Sequence, residues 1–328
     1  MRPVRRAMLA ELIRCASREG AKAVTILGCL EGPSPYGHQD DLALISACRI
    51  YRNVVIEARP PVPGITPQIR QWPCAPFAPI KAVVAGIGDP TIVSAGGTGW
   101  TVPAYGLWGS PVLLGICVET VLVGMHLSRD EVKVGKDRLR LGTRHVDLAD
   151  GELIVNFRGP RGSIPTLDAT ALLSGRAERH ILKEAYVIAR GDRGEFDQSL
   201  KVPLGSERGN MGGMMGADEI LGNAIETLAG DISIRWLKLP ATLAITLGIC
   251  LLLALITIYS RWVLMVFPVF YGLLILEERI DAIFFTKCIA MDTDYRAWAI
   301  LSCICLSLIA RLVLRRMGNG DPRLAGRD

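Results

Sequence analysis

The chain has 328 residues, 50% of them hydrophobic and only 21% charged, with a mean hydropathy of +0.32. That apolar content excludes a disordered chain, and the length, with nine scattered cysteines, excludes a disulfide-built miniprotein. The net charge of +5 is mild, and dispersed basic residues with only 6% aromatics offer no nucleic-acid surface.

Met8, Leu9, Leu12, Ile13 and Ala16 recur at helical spacing, so the start predicts an amphipathic surface helix. Residues 21–30 (AKAVTILGCL) predict a buried parallel strand, apolar throughout rather than alternating. Asp40 and Asp41 open a helix through Ile50, with carboxylates at its positive end. Residues 53–58 (NVVIEA) predict a second strand, 59–79 a proline-rich loop and 82–85 a third short strand. Helix and strand alternating in this order indicate a mainly parallel sheet covered by helices. Residues 86–109 are glycine-rich and read as irregular, and 112–126 as an apolar core helix. Residues 132–134 and 138–141, joined by Gly135, Lys136 and Asp137, predict a hairpin. A strand at 153–157, a helix capped by Thr166 or Asp168, a strand at 185–189 and a helix at 217–228 complete this part.

Beyond Arg235 the pattern changes. Residues 239–259 carry no charge and have the length needed to cross a ~30 Å hydrocarbon core, with Trp236 and Tyr259 at the ends. Residues 262–276 and 297–313 are two further apolar runs, the former short and interrupted by Pro268. The fold class expected is therefore an α/β sensory domain at 1–234, followed by three transmembrane helices within 235–316 and a short tail at 317–328. Arg311, Arg315, Arg316, Arg323 and Arg327 at the C-terminal end, set against the acidic 277–296 segment, put the tail in the cytoplasm. The soluble part then lies outside a bacterial inner membrane, in the periplasm. Its export needs a signal, yet Glu11, Arg14 and Arg18 interrupt any apolar run near the start. Either the domain is cytoplasmic or an anchor helix precedes Met1; the second is the expectation.

The usual constellations of catalysis are missing from the sequence. No Gly-Lys-Ser/Thr loop or Gly-x-Ser-x-Gly elbow is present, and Gly96, Gly97 and Gly99 have no nearby lysine. His38, His126, His145 and His180 form no zinc-type pair. Cys15, Cys29, Cys48, Cys74 and Cys117 show no regular spacing and read as buried thiols, though an oxidising compartment would let some of them pair. The expectation is no enzyme, no metal and no cofactor.

One stretch is specific. Residues 152–175 read ELIVNFRGPRGSIPTLDATALLSG, and 216–228 read GADEILGNAIETL directly before the long apolar run. Together they resemble the CHASE domain of the second type, an extracytoplasmic sensory module of bacterial histidine kinases, adenylate cyclases and serine/threonine kinases. Ile181 to Lys183, Tyr186 to Ile188, Asp197 and Pro203 occupy matching places. The sequence departs from the family at Gly28-Cys29, where an aspartate is usual, at residues 95–100, and at Leu221, where a histidine is usual.

The resemblance implies a signal-input protein that passes a ligand- or partner-induced shift through helix 217–228 to the segments behind it. Asn156, Arg158 and Asp197 are the candidate ligand-binding residues. Glu226, Gly230 and Trp236 are the candidate coupling residues. For Arg158 a plain structural role stays open: an ion pair to Asp168, Asp197 or Glu226 that fastens its turn. The expected partners are the lipid bilayer, a separate kinase or cyclase output protein and a second copy of the chain, with no nucleic acid. The rival reading is a scaffold or accessory subunit that binds a partner and senses nothing.

Overall fold

The computed structural model describes residues 4–59, 74–95, 99–104, 113–159, 162–190, 199–201 and 214–230, with 232, 234–236, 244, 246–251, 289–290 and 309 beyond them. The chain divides into two compact units, Met1–Ser233 and Ile234–Asp328.

In the first unit, α1 (Arg6–Arg18) leads to β1 (Ala23–Leu27), α2 (His38–Tyr51) and β2 (Val54–Glu57). A helical turn, α3 (Ala78–Lys81), precedes β3 (Gly86–Gly88), β4 (Val93–Ala95) and β5 (Gly99–Pro103). Then come α4 (Ile116–Gly124), the three-stranded meander β6 (Val132–Val134), β7 (Arg138–Leu141) and β8 (Arg144–Asp147), and β9 (Glu152–Ile154). Next are α5 (Ala169–Leu173), β10 (Tyr186–Arg190), the paired strands β11 (Ser199–Lys201) and β12 (Met214–Gly216), and α6 (Ala217–Ala229).

The central sheet is parallel, in the order β10-β1-β2-β3. Every residue of β1 and β2 is buried, as strands covered on both faces must be. Val24, Ile26, Val54 and Ile56 pack with Leu9, Ile13 and Leu44 of α1 and α2. Leu27 and Val55 join the opposite cluster with Cys117, Val121, Ile220 and Ala224 of α4 and α6. Thr25 follows the same alternation and meets Thr120 of α4 in a buried 2.6 Å hydrogen bond. β5 pairs antiparallel with β4 and β9 in a small second sheet.

Two local devices fix the layers. α1 has no cap from its own sequence; the Asp40 carboxylate of α2 accepts instead from the Arg6 and Ala7 N–H groups at 2.9 and 2.8 Å. Burial alone would raise the Asp40 pKa. Bonds from Ser34, Ala7 and Arg6, with the Arg6 charge, outweigh burial and lower it. Its stabilisation is therefore present above the ordinary carboxylate range and lost as pH falls through the lowered value. At β3, a Cβ on Gly88 would stand 2.4 Å from the Ile116 Cα, so only glycine lets α4 begin against the strand.

The structure moves two boundaries. Residues 82–85 are not the third strand; pairing begins where the Ala85 N–H donates to the Val54 carbonyl at 2.9 Å, and β3 follows. The glycine-rich stretch read as irregular carries β3, β4 and β5.

The expectation of three membrane helices does not hold. Among the described residues no helix is long and apolar enough to cross a membrane. Within 239–259 the described residues are 244 and 246–251, all helical, and a span needs ~20 consecutive helical residues. Apolar composition does not by itself supply that length. The 262–276 run lies outside the described residues, as does 297–313 apart from Ile309. The multi-pass placement in a bacterial inner membrane, with a periplasmic domain and a cytoplasmic tail at 317–328, rested on those helices and falls with them. The expected bilayer partner rested on the same runs. In the second unit, β13 (Arg235–Trp236) pairs parallel with β14 (Ile289–Ala290).

Candidate functional site

Parallel strands end together, and in α/β folds ligands bind at that carboxyl edge. Here the register sets Leu27 beside Arg190 and Glu57 beside Gly88, so the last residues of the four strands form one row. Charged groups gather on it. The Glu57 side chain is fully buried; one oxygen accepts from the Gly28 N–H at 2.9 Å and the other meets the Arg59 guanidinium at 2.7 Å. Arg59, itself 10% exposed, exchanges both backbone hydrogen bonds with Cys74 at 2.9 and 2.7 Å. Asp89, directly after β3, is buried and accepts from the Thr91 N–H and hydroxyl at 3.0 and 2.6 Å. Arg190, ending β10, lies 3.6 Å from Asp218 in the first turn of α6.

Burial pushes the Asp89 carboxyl up, against the bonds from Thr91 and the nearby Arg59 charge. The folded state thus holds this proton more tightly than the unfolded chain. The stabilisation is complete below the ordinary carboxylate range and is lost as pH rises through the raised value. Asp89→Asn keeps an acceptor for Thr91 and removes the titration. Its melting temperature should fall less than the wild type's as pH rises above about 4; parallel curves would contradict this assignment. Glu119, buried in α4 with Arg129 as its ion-pair partner, is likewise raised by burial.

Cys29 and Cys74 form a disulfide, Cα–Cα 5.9 Å, that joins the loops after β1 and β2. This corrects the reading of both as buried thiols: each follows a strand end at the same sheet edge, a proximity that sequence spacing does not show. With a sequence separation of 45 between the two cysteines, the bond is expected to add about 4 kcal/mol by restricting the unfolded chain. Reduction should lower the urea midpoint of the wild type and leave Cys29→Ser/Cys74→Ser unmoved. Cys48 and Cys117 are buried thiols, Cys48 pushed up to about 12 by desolvation and Cys117 also raised.

The residues singled out from the sequence fall elsewhere. The segment after β9 docks on a polar stripe of α6 formed by Glu219, Asn223, Glu226 and Thr227, one helix face by spacing. Asn156 donates from its side chain to the Ile232 carbonyl at 3.0 Å and from its backbone to the Thr227 hydroxyl at 3.1 Å. The Arg158 N–H donates to the buried Asn223 side chain at 2.9 Å, and its guanidinium lies 3.0 Å from Glu226. Gly162 donates to Glu219 at 2.6 Å. Asn156, Arg158 and Glu226 are thus brought together, as fasteners of one turn. Gly230 closes α6 through a 2.7 Å bond to the Glu226 carbonyl. Trp236 belongs to β13, and Asp197 lies outside the described residues.

Glu57, Arg59 and Asp89 were not singled out from sequence. The available signal was Glu57 itself, a charge closing an apolar strand at the edge where such folds bind. All four histidines are exposed. The described edge offers buried carboxyls and a guanidinium, which suit recognition of a polar ligand by charge and hydrogen bond.

No family model, no curated protein and no solved structure matches the chain.

Proposed function

We propose that residues 1–233 form a ligand-responsive input domain of the kind the CHASE resemblance implies, with no catalytic output of its own. The observation that supports this reading is the buried Glu57–Arg59–Asp89 group at the carboxyl edge of the parallel sheet. Buried charge costs free energy unless it is paired, and a stability role alone does not explain why it collects at the edge where α/β domains bind.

The response would leave through α6. Its first turn carries Asp218 against Arg190 of the strand-end row, and its polar stripe holds Asn156, Arg158 and Gly162. A displacement of α6 would be carried by the chain past Gly230 to Trp236, and from there to a separate kinase or cyclase or to a second copy of the protein.

Thermal melting of the full chain against amino acids, carboxylates, sugars, nucleotides and short peptides tests the reading. A cognate ligand at a hundredfold excess over its Kd adds about 2.7 kcal/mol, a rise of several degrees for a domain this size. The rise should vanish in Asp89→Asn or shrink strongly. The scaffold reading gains from Asn156 and Arg158 being committed to α6; no shift with any compound class would favour it.

A further inference from the structure

The loops after β1 and β2 gather three metal-ligating groups. The Sγ atoms of Cys29 and Cys74 and a carboxylate oxygen of Glu31 all lie within 4.8 Å of one another. In the disulfide the two sulfurs are spent on each other, but the bond is not all that holds them near. Cys74 is paired to Arg59 by two backbone hydrogen bonds, and Arg59 is ion-paired to Glu57. Glu57 also accepts from Gly28, the residue before Cys29. Glu31 accepts from the Ala75 N–H at 3.2 Å, and the Leu30 carbonyl accepts from Phe77 at 2.8 Å. Three contacts that contain no sulfur therefore cross between the two loops, and the Arg59 contacts tie Cys74 to the end of β2.

We propose that the reduced chain binds one divalent cation of the zinc class through Cys29, Cys74 and Glu31, so that this corner carries either a disulfide or a metal ion. Reduction by a dithiol breaks the S–S bond; the dithiol closes to its own disulfide while its two electrons and two protons pass to the cysteine sulfurs. Metal binding then releases both protons as the thiols become thiolates. Zn–S bonds of about 2.3 Å at a tetrahedral angle set the sulfurs about 3.8 Å apart, a modest opening for cysteines whose Cα atoms are 5.9 Å apart. The carboxylate is the third donor, and a fourth position stays open to water or an outside ligand. Two thiolates select zinc or cadmium over calcium or magnesium. Cys29 and Glu31 are exposed and give the ion a path in, while the buried Cys74 is the fixed side of the site.

Cadmium titration of the full chain, reduced with a trialkylphosphine, tests this through thiolate-to-metal charge-transfer absorption in the ultraviolet. The reduced wild type should take up one equivalent that zinc displaces and calcium does not. The oxidised wild type, Cys29→Ser and Cys74→Ser should lack that equivalent. Glu31→Gln, which keeps both cysteines and the disulfide, should bind at least tenfold more weakly when reduced. The same absorption in either serine variant or in the oxidised chain would overturn the site, because the sulfur would come from other cysteines. No uptake by the reduced wild type, or unchanged affinity in Glu31→Gln, would overturn it as well.

Discussion

Arg6→Ala is expected to remove about 3–5 kcal/mol of unfolding free energy, the cost of leaving a buried charge without its partner. The Arg6 guanidinium is ion-paired with Asp41, both side chains being 6% exposed or less, and donates to the Glu31 and Gly32 carbonyls at 3.2 and 2.8 Å. It also lies over the Phe77 ring, 5.5 Å from the centroid. The substitution takes the counter-charge from the Asp41 carboxylate, which keeps the Ser34 N–H at 3.2 Å, and unties the loop between β1 and α2 in one step. Domains of this kind have only about 5–15 kcal/mol in total, so the loss should show as a large drop in the urea midpoint. Arg6→Ala/Asp41→Asn decides the cause. If the stranded charge dominates, the double variant is more stable than Arg6→Ala; simple addition of the two single losses would show that the pair is not coupled.

Glu57→Ala should cost a similar amount, about 3–5 kcal/mol, through the same physics at the sheet edge. It leaves Arg59 without the carboxylate 2.7 Å away and the Gly28 N–H without its acceptor. Glu57→Gln retains an acceptor for Gly28 and should lose less, which separates the hydrogen bond from the charge. A loss below about 1 kcal/mol for the alanine variant would mean that water solvates Arg59 and that the group is not the buried one described.

The central strands were legible because burial on both faces leaves a continuous apolar run, as in VVI of β2 and AVTIL of β1. The short strands β3 to β5 were not. Gly88 is there because the first turn of α4 sits against it, a tertiary demand that looks like a loop signal in sequence. Residues 112–126 were legible as an apolar helix, but Glu119 inside it gave no sign of Arg129, its partner ten residues on. The apolar runs after Arg235 predicted membrane helices from composition, and composition does not fix helix length. At the candidate site, Asn156 and Arg158 stood out by motif, yet their partners Asn223, Glu226 and Thr227 are known only once α6 has docked. The disulfide was illegible for the same reason: two loops become neighbours only after β1 and β2 pair in parallel.

The order β10-β1-β2-β3 has a consequence for how the protein is made. Tyr186 pairs with Ala23, so the outer flank of β1 is closed by a strand that leaves the ribosome long after it. At about 5–20 residues per second, β1 waits roughly 10–30 s with bare amide and carbonyl groups. During that interval the nascent chain offers a ready template for another strand, its own or a neighbour's. Correct yield should therefore depend on holding factors and slow crowding early in synthesis more than on the final stability of the finished domain.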